Sequence, residues 1–168
     1  MLTLVTIAIL GSFSLSVLLT WIFRKWALHT GFVDRPGGHK KHAVPVALGG
    51  GIAIFWAATL PLVLGALLAR WSVSSGAPSW LPEFILPHLE GMASKLGTLL
   101  SILGGALVLH ILGLIDDKKP LGPGVKFLVQ TCVALVVVGV FRIRAAEALG
   151  PTISITLTVF WIVLIINA

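Results

Sequence analysis

The feature that most constrains this chain is a series of long runs without charge. Leu2–Phe23 contains no ionisable residue. A helix crossing the hydrocarbon core of a bilayer needs roughly 20 apolar residues. Four further stretches meet or approach that length. Ala47–Ala69 is uncharged and contains Pro61. Leu96–Ile115 has His110 as its only ionisable group. Val125–Phe141 carries Lys126 at its start, and Pro151–Ala168 is uncharged. A lysine at the edge of a span can reach the interface with its ammonium. Composition agrees: 57% of residues are hydrophobic and 11% charged, against about 25% charged in an average soluble domain. So few charges cannot coat a soluble globule. A soluble enzyme, a disordered tail and a coiled coil are therefore excluded. Lipid satisfies no backbone hydrogen bonds, so open spanning elements must be helices. The expectation is an all-α, polytopic transmembrane helix bundle. Its five spans fall at about 2–23, 47–69, 96–115, 125–141 and 151–168, in a single integral membrane domain over 1–168.

The first run lacks a basic segment in front, and Arg24, Lys25 and Trp26 follow it. A cleaved signal peptide has the opposite arrangement, so this run reads as a retained span. Cys132 is the single cysteine, which leaves no internal disulfide and no Cys/His metal spacing. Net charge is +6. Binding of nucleic acid would need a basic patch on a soluble face, so no nucleic-acid partner is expected. The charge instead follows the positive-inside bias. Arg24, Lys25, Arg35, Lys40, Lys41, Lys118, Lys119 and Lys126 fall on one side; Arg70, Lys95, Arg142 and Arg144 fall on the other. Segments 24–46 and 116–126 are thus expected in the cytoplasm, with the N-terminus outside. The carboxylates sort as well: Asp34, Asp116 and Asp117 inside, Glu83, Glu90 and Glu147 outside. The stretch 70–95, with Trp71, Trp80, Pro78, Pro82 and Pro87, reads as an outer interfacial loop.

Nearly all residues capable of chemistry lie on the expected cytoplasmic side. One cluster holds Asp34-Arg35-Pro36-Gly37, a turn sequence, then His39, Lys40, Lys41 and His42. Gly49–Gly51 opens the second span, and glycines at a helix start let backbone N–H groups approach a phosphate. An ordinary basic loop before a closely packed helix explains the same residues. A second cluster runs from Gly113 to Lys126. Asp116 and Asp117 end the third span, where the negative end of the helix dipole disfavours them. Adjacent carboxylates also repel, and a cation relieves this. Lys118, Lys119, Lys126 or Mg²⁺ could serve, since Mg²⁺ is commonly held by one or two carboxylates with substrate phosphates and water. A solvated interfacial pair is the alternative. Lys126 and Gln130 are four apart and share a helix face. Asn167 stands at the same membrane level, as a substrate contact or as a polar cap. His110 reads as a packed polar residue or a proton relay. Basic donors, paired carboxylates and glycines at one membrane face suit a reaction between a phosphate substrate and a lipid phosphate.

At these residues the sequence resembles the polyprenyl-phosphate N-acetylhexosamine-1-phosphate transferases, or glycosyltransferase family 4. Phe32-Val-Asp-Arg-Pro36 with His39-Lys-Lys-His42, Pro45 and Gly49–Gly51 resembles the family's first cytoplasmic loop. Gly113-Leu-Ile-Asp-Asp117 with Val125-Lys-Phe-Leu-Val-Gln130 resembles its aspartate-pair loop. Ile166-Asn-Ala168 resembles the opening of its N-A-x-N-x-x-D-G motif. The chain departs at His39, where many members have Arg, and at Ala47-Leu48, where many have Pro-Arg.

The resemblance implies transfer of a HexNAc-1-phosphate, GlcNAc-1-phosphate in the branch that fits best, from a UDP-sugar to undecaprenyl phosphate. UMP is released and cell-envelope polysaccharide synthesis begins. Asp116 and Asp117 would be the catalytic and metal-binding carboxylates, with Asp116 as base toward the polyprenyl phosphate. The cofactor is Mg²⁺, with Mn²⁺ as a substitute. Lys40, Lys41, His42, Lys126, Gln130 and Asn167 would bind substrate. The partners are UDP-N-acetylhexosamine, undecaprenyl phosphate and the lipid bilayer of a bacterial inner membrane; a homodimer is left open. The chain is expected to be the N-terminal part of a larger transferase, inactive alone. A multispan transporter would need polar groups near mid-membrane, where His110 stands alone; a non-catalytic membrane scaffold is the other class.

Overall fold

The computed structural model describes residues 2–34 and 46–167. The elements in chain order are α1 (Leu2–Thr30), β1 (Val33–Asp34), β2 (Val46–Ala47), α2 (Gly50–Ser75), α3 (Leu89–Ser94), α4 (Leu96–Lys118), α5 (Pro123–Leu135) and α6 (Pro151–Asn167). Short 3₁₀ turns lie at Glu83–His88 and Glu147–Leu149, and α5 continues into a π-turn at Val136–Val140. The all-helical expectation holds, apart from the two-residue ladder.

Among the described residues, three helices are long and apolar enough to cross a membrane: α2, α4, and α5 with its π-turn. The apolar α6 is shorter, about 26 Å at 1.5 Å per residue. The helices overrun the apolar runs. The second run was expected to end at Ala69, but α2 continues to Ser75; α4 continues through Asp116 and Asp117 to Lys118. Pro61 sits within α2 without ending it.

The chain divides into two compact units, Met1–Gly65 and Ala66–Ala168. In the first, β1 and β2 pair antiparallel, Val33 with Ala47 and Asp34 with Val46. The Leu48 amide donates to the Phe32 carbonyl at 3.0 Å. Gly49 takes φ +86°, and a Cβ there would meet the Phe32 ring at 3.3 Å and Ile52 at 3.1 Å. Gly49 therefore lets the chain turn tightly beneath an aromatic ring, a backbone conformation that side chains resist.

In the second unit, Ala69 on α2 forms a small core with Leu81 and Leu89, covered by Leu68 and Ile85. The expected outer loop is thus a folded strap. Trp71 and Trp80 remain exposed on it, as aromatic anchors at a membrane interface would be. α5 packs on both α4 and α6. Its buried positions, Gln130 and Ala134, continue into Val137 and Val138 of the π-turn. α4 buries no residue fully, and large side chains such as Leu100, Ile111, Phe127, Phe160 and Trp161 are exposed. In water this would be an aggregating surface; facing lipid it is ordinary.

Candidate active site

The site is built at one end of α4, α5 and α6. Asp116 lies in the last turn of α4, one residue past the apolar run. The chain reverses through 119–122 and re-enters a helix at Pro123, with Gly122 at the N-cap. Proline suits the first helical position because its missing N–H has no helical partner to lose. This tight return brings Lys126 back over Asp116. Lys126 Nζ donates to Asp116 Oδ2 at 2.7 Å, and the Leu121 amide donates to Asp116 Oδ1 at 2.7 Å. Both carboxylate oxygens therefore carry a donor. The two donors offset the unfavourable helix-end position of Asp116. Of the cations open to it in the sequence, Lys126 is the one that pairs.

The pair is partly open, with side-chain exposures of 36% for Lys126 and 28% for Asp116. An ion pair this accessible contributes at most about 1 kcal/mol to folding. Lys126 has three N–H donors, and one goes to Asp116. The others are available to an anion. Asp117 is exposed beside it.

One turn further along α5, Gln130 is 9% exposed. Its Oε1 accepts from Asn167 Nδ2 at 2.8 Å, and the same Nδ2 donates to the Val163 carbonyl at 2.8 Å. Residues 37 positions apart in sequence are thus joined. The spacing of Lys126 and Gln130 on one face of α5 is legible in the sequence. The bond to α6 carries no local signal, because Asn167 reads equally as a cap. From its end a groove of about 620 Å³ runs between α5 and α6, lined by Phe127, Thr131, Leu135, Phe160 and Val163 among others.

Lys40, Lys41 and His42 lie outside the described residues, as do Arg35, Pro36, His39 and Pro45. Among the described residues, no group of three or more His, Cys, Asp or Glu is gathered for a metal. Mg²⁺ does not need one, since one carboxylate with substrate phosphates and water suffices. Asp117 fits that demand as an exposed oxygen donor. Asp116 fits it less well, because both its oxygens are engaged and the Lys126 ammonium stands against them.

Residues 99–168 match the family model described as glycosyl transferase family 4. This segment is similar to glycosyl transferase family 4. It contains Asp116, Asp117, Lys126, Gln130 and Asn167. The chain is also 30% identical, over 98% of its length, to a Bacillus subtilis (strain 168) protein described as a probable undecaprenyl-phosphate N-acetylglucosaminyl 1-phosphate transferase. It spans 41% of that relative's length. No solved structure matches the chain. The family resemblance drawn from the motifs is thereby borne out.

Proposed function

We propose that this chain is part of a membrane enzyme that transfers a HexNAc-1-phosphate, GlcNAc-1-phosphate in the first instance, from a UDP-sugar to undecaprenyl phosphate. An oxygen of the lipid phosphate attacks the β-phosphorus of the UDP-sugar. The bond from that phosphorus to the bridging oxygen breaks, and UMP leaves with the electron pair. The product is a lipid-linked pyrophosphoryl sugar. The observation that carries the reading is Lys126, held over Asp116 at 2.7 Å with N–H donors to spare, at the end of an apolar bundle within the family segment.

Each residue has a part in this proposal. Lys126 binds phosphate, and Asp116 aims Lys126 while balancing its charge when no substrate is present. Asp117, with substrate phosphates, would hold Mg²⁺, which neutralises charge developing on the pyrophosphate. Asn167 meets the sugar nucleotide. The apolar groove between α5 and α6 suits the first prenyl units of the acceptor. Lys40, Lys41 and His42 are assigned to phosphate binding on the resemblance of their segment to the family's first loop. The reaction face is cytoplasmic in a bacterial inner membrane, with five crossings and the N-terminus outside. Lys and Arg asymmetry supports that orientation.

The test is an assay of the full-length protein in membranes with UDP-GlcNAc and undecaprenyl phosphate. UMP and a lipid-linked sugar should appear together, should require the lipid, and should vanish with EDTA and return with Mg²⁺. Product formed without the lipid phosphate, or no product at all, would sink the reading. Cysteines placed at Lys118→Cys and Glu147→Cys, in a Cys132→Ser background, test the orientation. An impermeant thiol reagent added to whole cells should label only the second.

A further inference from the structure

We propose that Gln130 is a positioning residue that sets the hydrogen-bonding polarity of Asn167, so that Asn167 meets the sugar nucleotide as an acceptor only. The inference rests on the transferase reading above. It starts from the bookkeeping of one amide. Asn167 Nδ2 donates at 2.8 Å to the Val163 carbonyl and at 2.8 Å to Gln130 Oε1. A backbone carbonyl only accepts, so the end of the amide that faces Val163 must be the nitrogen. The usual ambiguity between amide oxygen and nitrogen is thereby resolved by chemistry. An amide nitrogen carries two hydrogens, and both are engaged. What Asn167 has left is Oδ1, an acceptor.

Gln130 makes this arrangement hold. It is nearly buried on α5, whereas Asn167 sits at the exposed end of α6. Without the Gln130 oxygen, one Asn167 hydrogen would be unclaimed, and the amide would offer a donor beside its acceptor. The complement of a fixed acceptor is a donor, an N–H or O–H on the sugar nucleotide. A substrate that carries such a group gains the bond, and an analogue that lacks it does not.

The experiment uses the full-length protein in membranes, with UMP release and lipid-linked product as readouts. Gln130→Leu should raise KM for the sugar nucleotide about tenfold, the size of one neutral hydrogen bond, with kcat within about threefold. Adding Asn167→Asp to that variant should bring KM back to within about threefold of the parent, because both oxygens of a carboxylate accept in either rotamer. The double variant does not rebuild the bond between α5 and α6. If Gln130 merely ties the helices together, KM stays high and the inference falls. Asn167→Leu, which removes the acceptor outright, should also raise KM for the sugar nucleotide about tenfold. An Asn167→Leu KM near the parent's would show that Asn167 makes no such contact, and would overturn the proposal. So would a Gln130→Leu effect confined to the apparent Mg²⁺ affinity, which would turn Oδ1 toward the cation. A parent protein that makes neither UMP nor lipid-linked product sinks the transferase reading itself, before any variant is compared.

Discussion

The two ends of the α4–α6 bundle are both tied by polar bonds, but they use their polar groups differently. At the end away from Asp116, the Ala145 amide donates to Thr158 Oγ1 at 3.0 Å, and Ser154 Oγ donates to the Ala145 carbonyl at 2.7 Å. Thr158 Oγ1 in turn donates to the Ser154 carbonyl at 2.6 Å. Ser154 and Thr158 are 1% and 8% exposed. They hold a loop in which Ala146 adopts φ 55°, a conformation that costs a non-glycine residue of order 1 kcal/mol. Every bond there closes on backbone. At the other end the groups are charged or amide, partly open, and have bonding capacity left over. The first end is built to be finished, and the second to be completed by something else. That contrast separates a structural polar cluster from a candidate functional one without reference to any relative.

The contrast breaks most visibly at Lys126. Lys126→Ala should lower product formation at least about 100-fold, the scale of removing one charged contact to a transferring phosphoryl group. Its folding free energy should move by less than about 1 kcal/mol, because the ion pair is exposed. Comparable losses in both, measured by product assay and denaturant titration in detergent, would make the pair structural. Thr158→Val reverses the pattern. It keeps the shape of the side chain but leaves the Ala145 amide unpaired, at a cost of roughly 1–3 kcal/mol. Specific activity per folded molecule should be unchanged. A Thr158→Val protein as stable as the parent would mean that the amide finds another partner and the latch is incidental.

Much of the candidate site could be read in the sequence, and the Ser154–Thr158 latch could not, for a physical reason. Asp116 and Asp117 at the end of an apolar run are a local anomaly, since two carboxylates at a helix C-terminus call for a cation. Lys126 and Gln130 share a helix face by spacing alone. Ser154 and Thr158 are also four apart, but hydroxyls in a membrane helix can satisfy themselves on their own backbone. Nothing in the sequence says that a loop will come back to use them. The π-turn at Val136–Val140 is equally silent, because Val-Val-Val-Gly-Val reads as a plain continuation of the span. The overrun of α4 past Ile115 follows from the lysine and amide that accommodate Asp116, and those depend on the tertiary fold. The paired Gln130 and Asn167 needed two helices to be placed before either had a partner.

The smallest effect expected tests how tightly the bundle that carries both ends is packed. Gly104 and Gly105 are neighbours on α4, and sequence alone treats them as equivalent small residues for close helix contact. The structure separates them. A Cβ on Gly105 would stand 3.0 Å from Val137 and 3.2 Å from Val133, while one on Gly104 meets nothing within 4 Å. Two opposing contributions decide each substitution. Alanine gains about 0.8–1.0 kcal/mol over glycine in a helix interior, and overpacking costs about 1–3 kcal/mol. At Gly104 only the gain operates, so Gly104→Ala should stabilise the protein by up to about 1 kcal/mol. At Gly105 the clash wins, because Val133 and Val137 are β-branched and stiff at χ1; Val137 is also buried. Gly105→Ala should therefore destabilise by about 1 kcal/mol. The difference between the two variants in one denaturant titration is the quantity to measure. Equal effects at the two positions would mean that α4 and α5 slide apart at little cost, and that the bond from Lys126 to Asp116 must be held by the 119–122 turn alone.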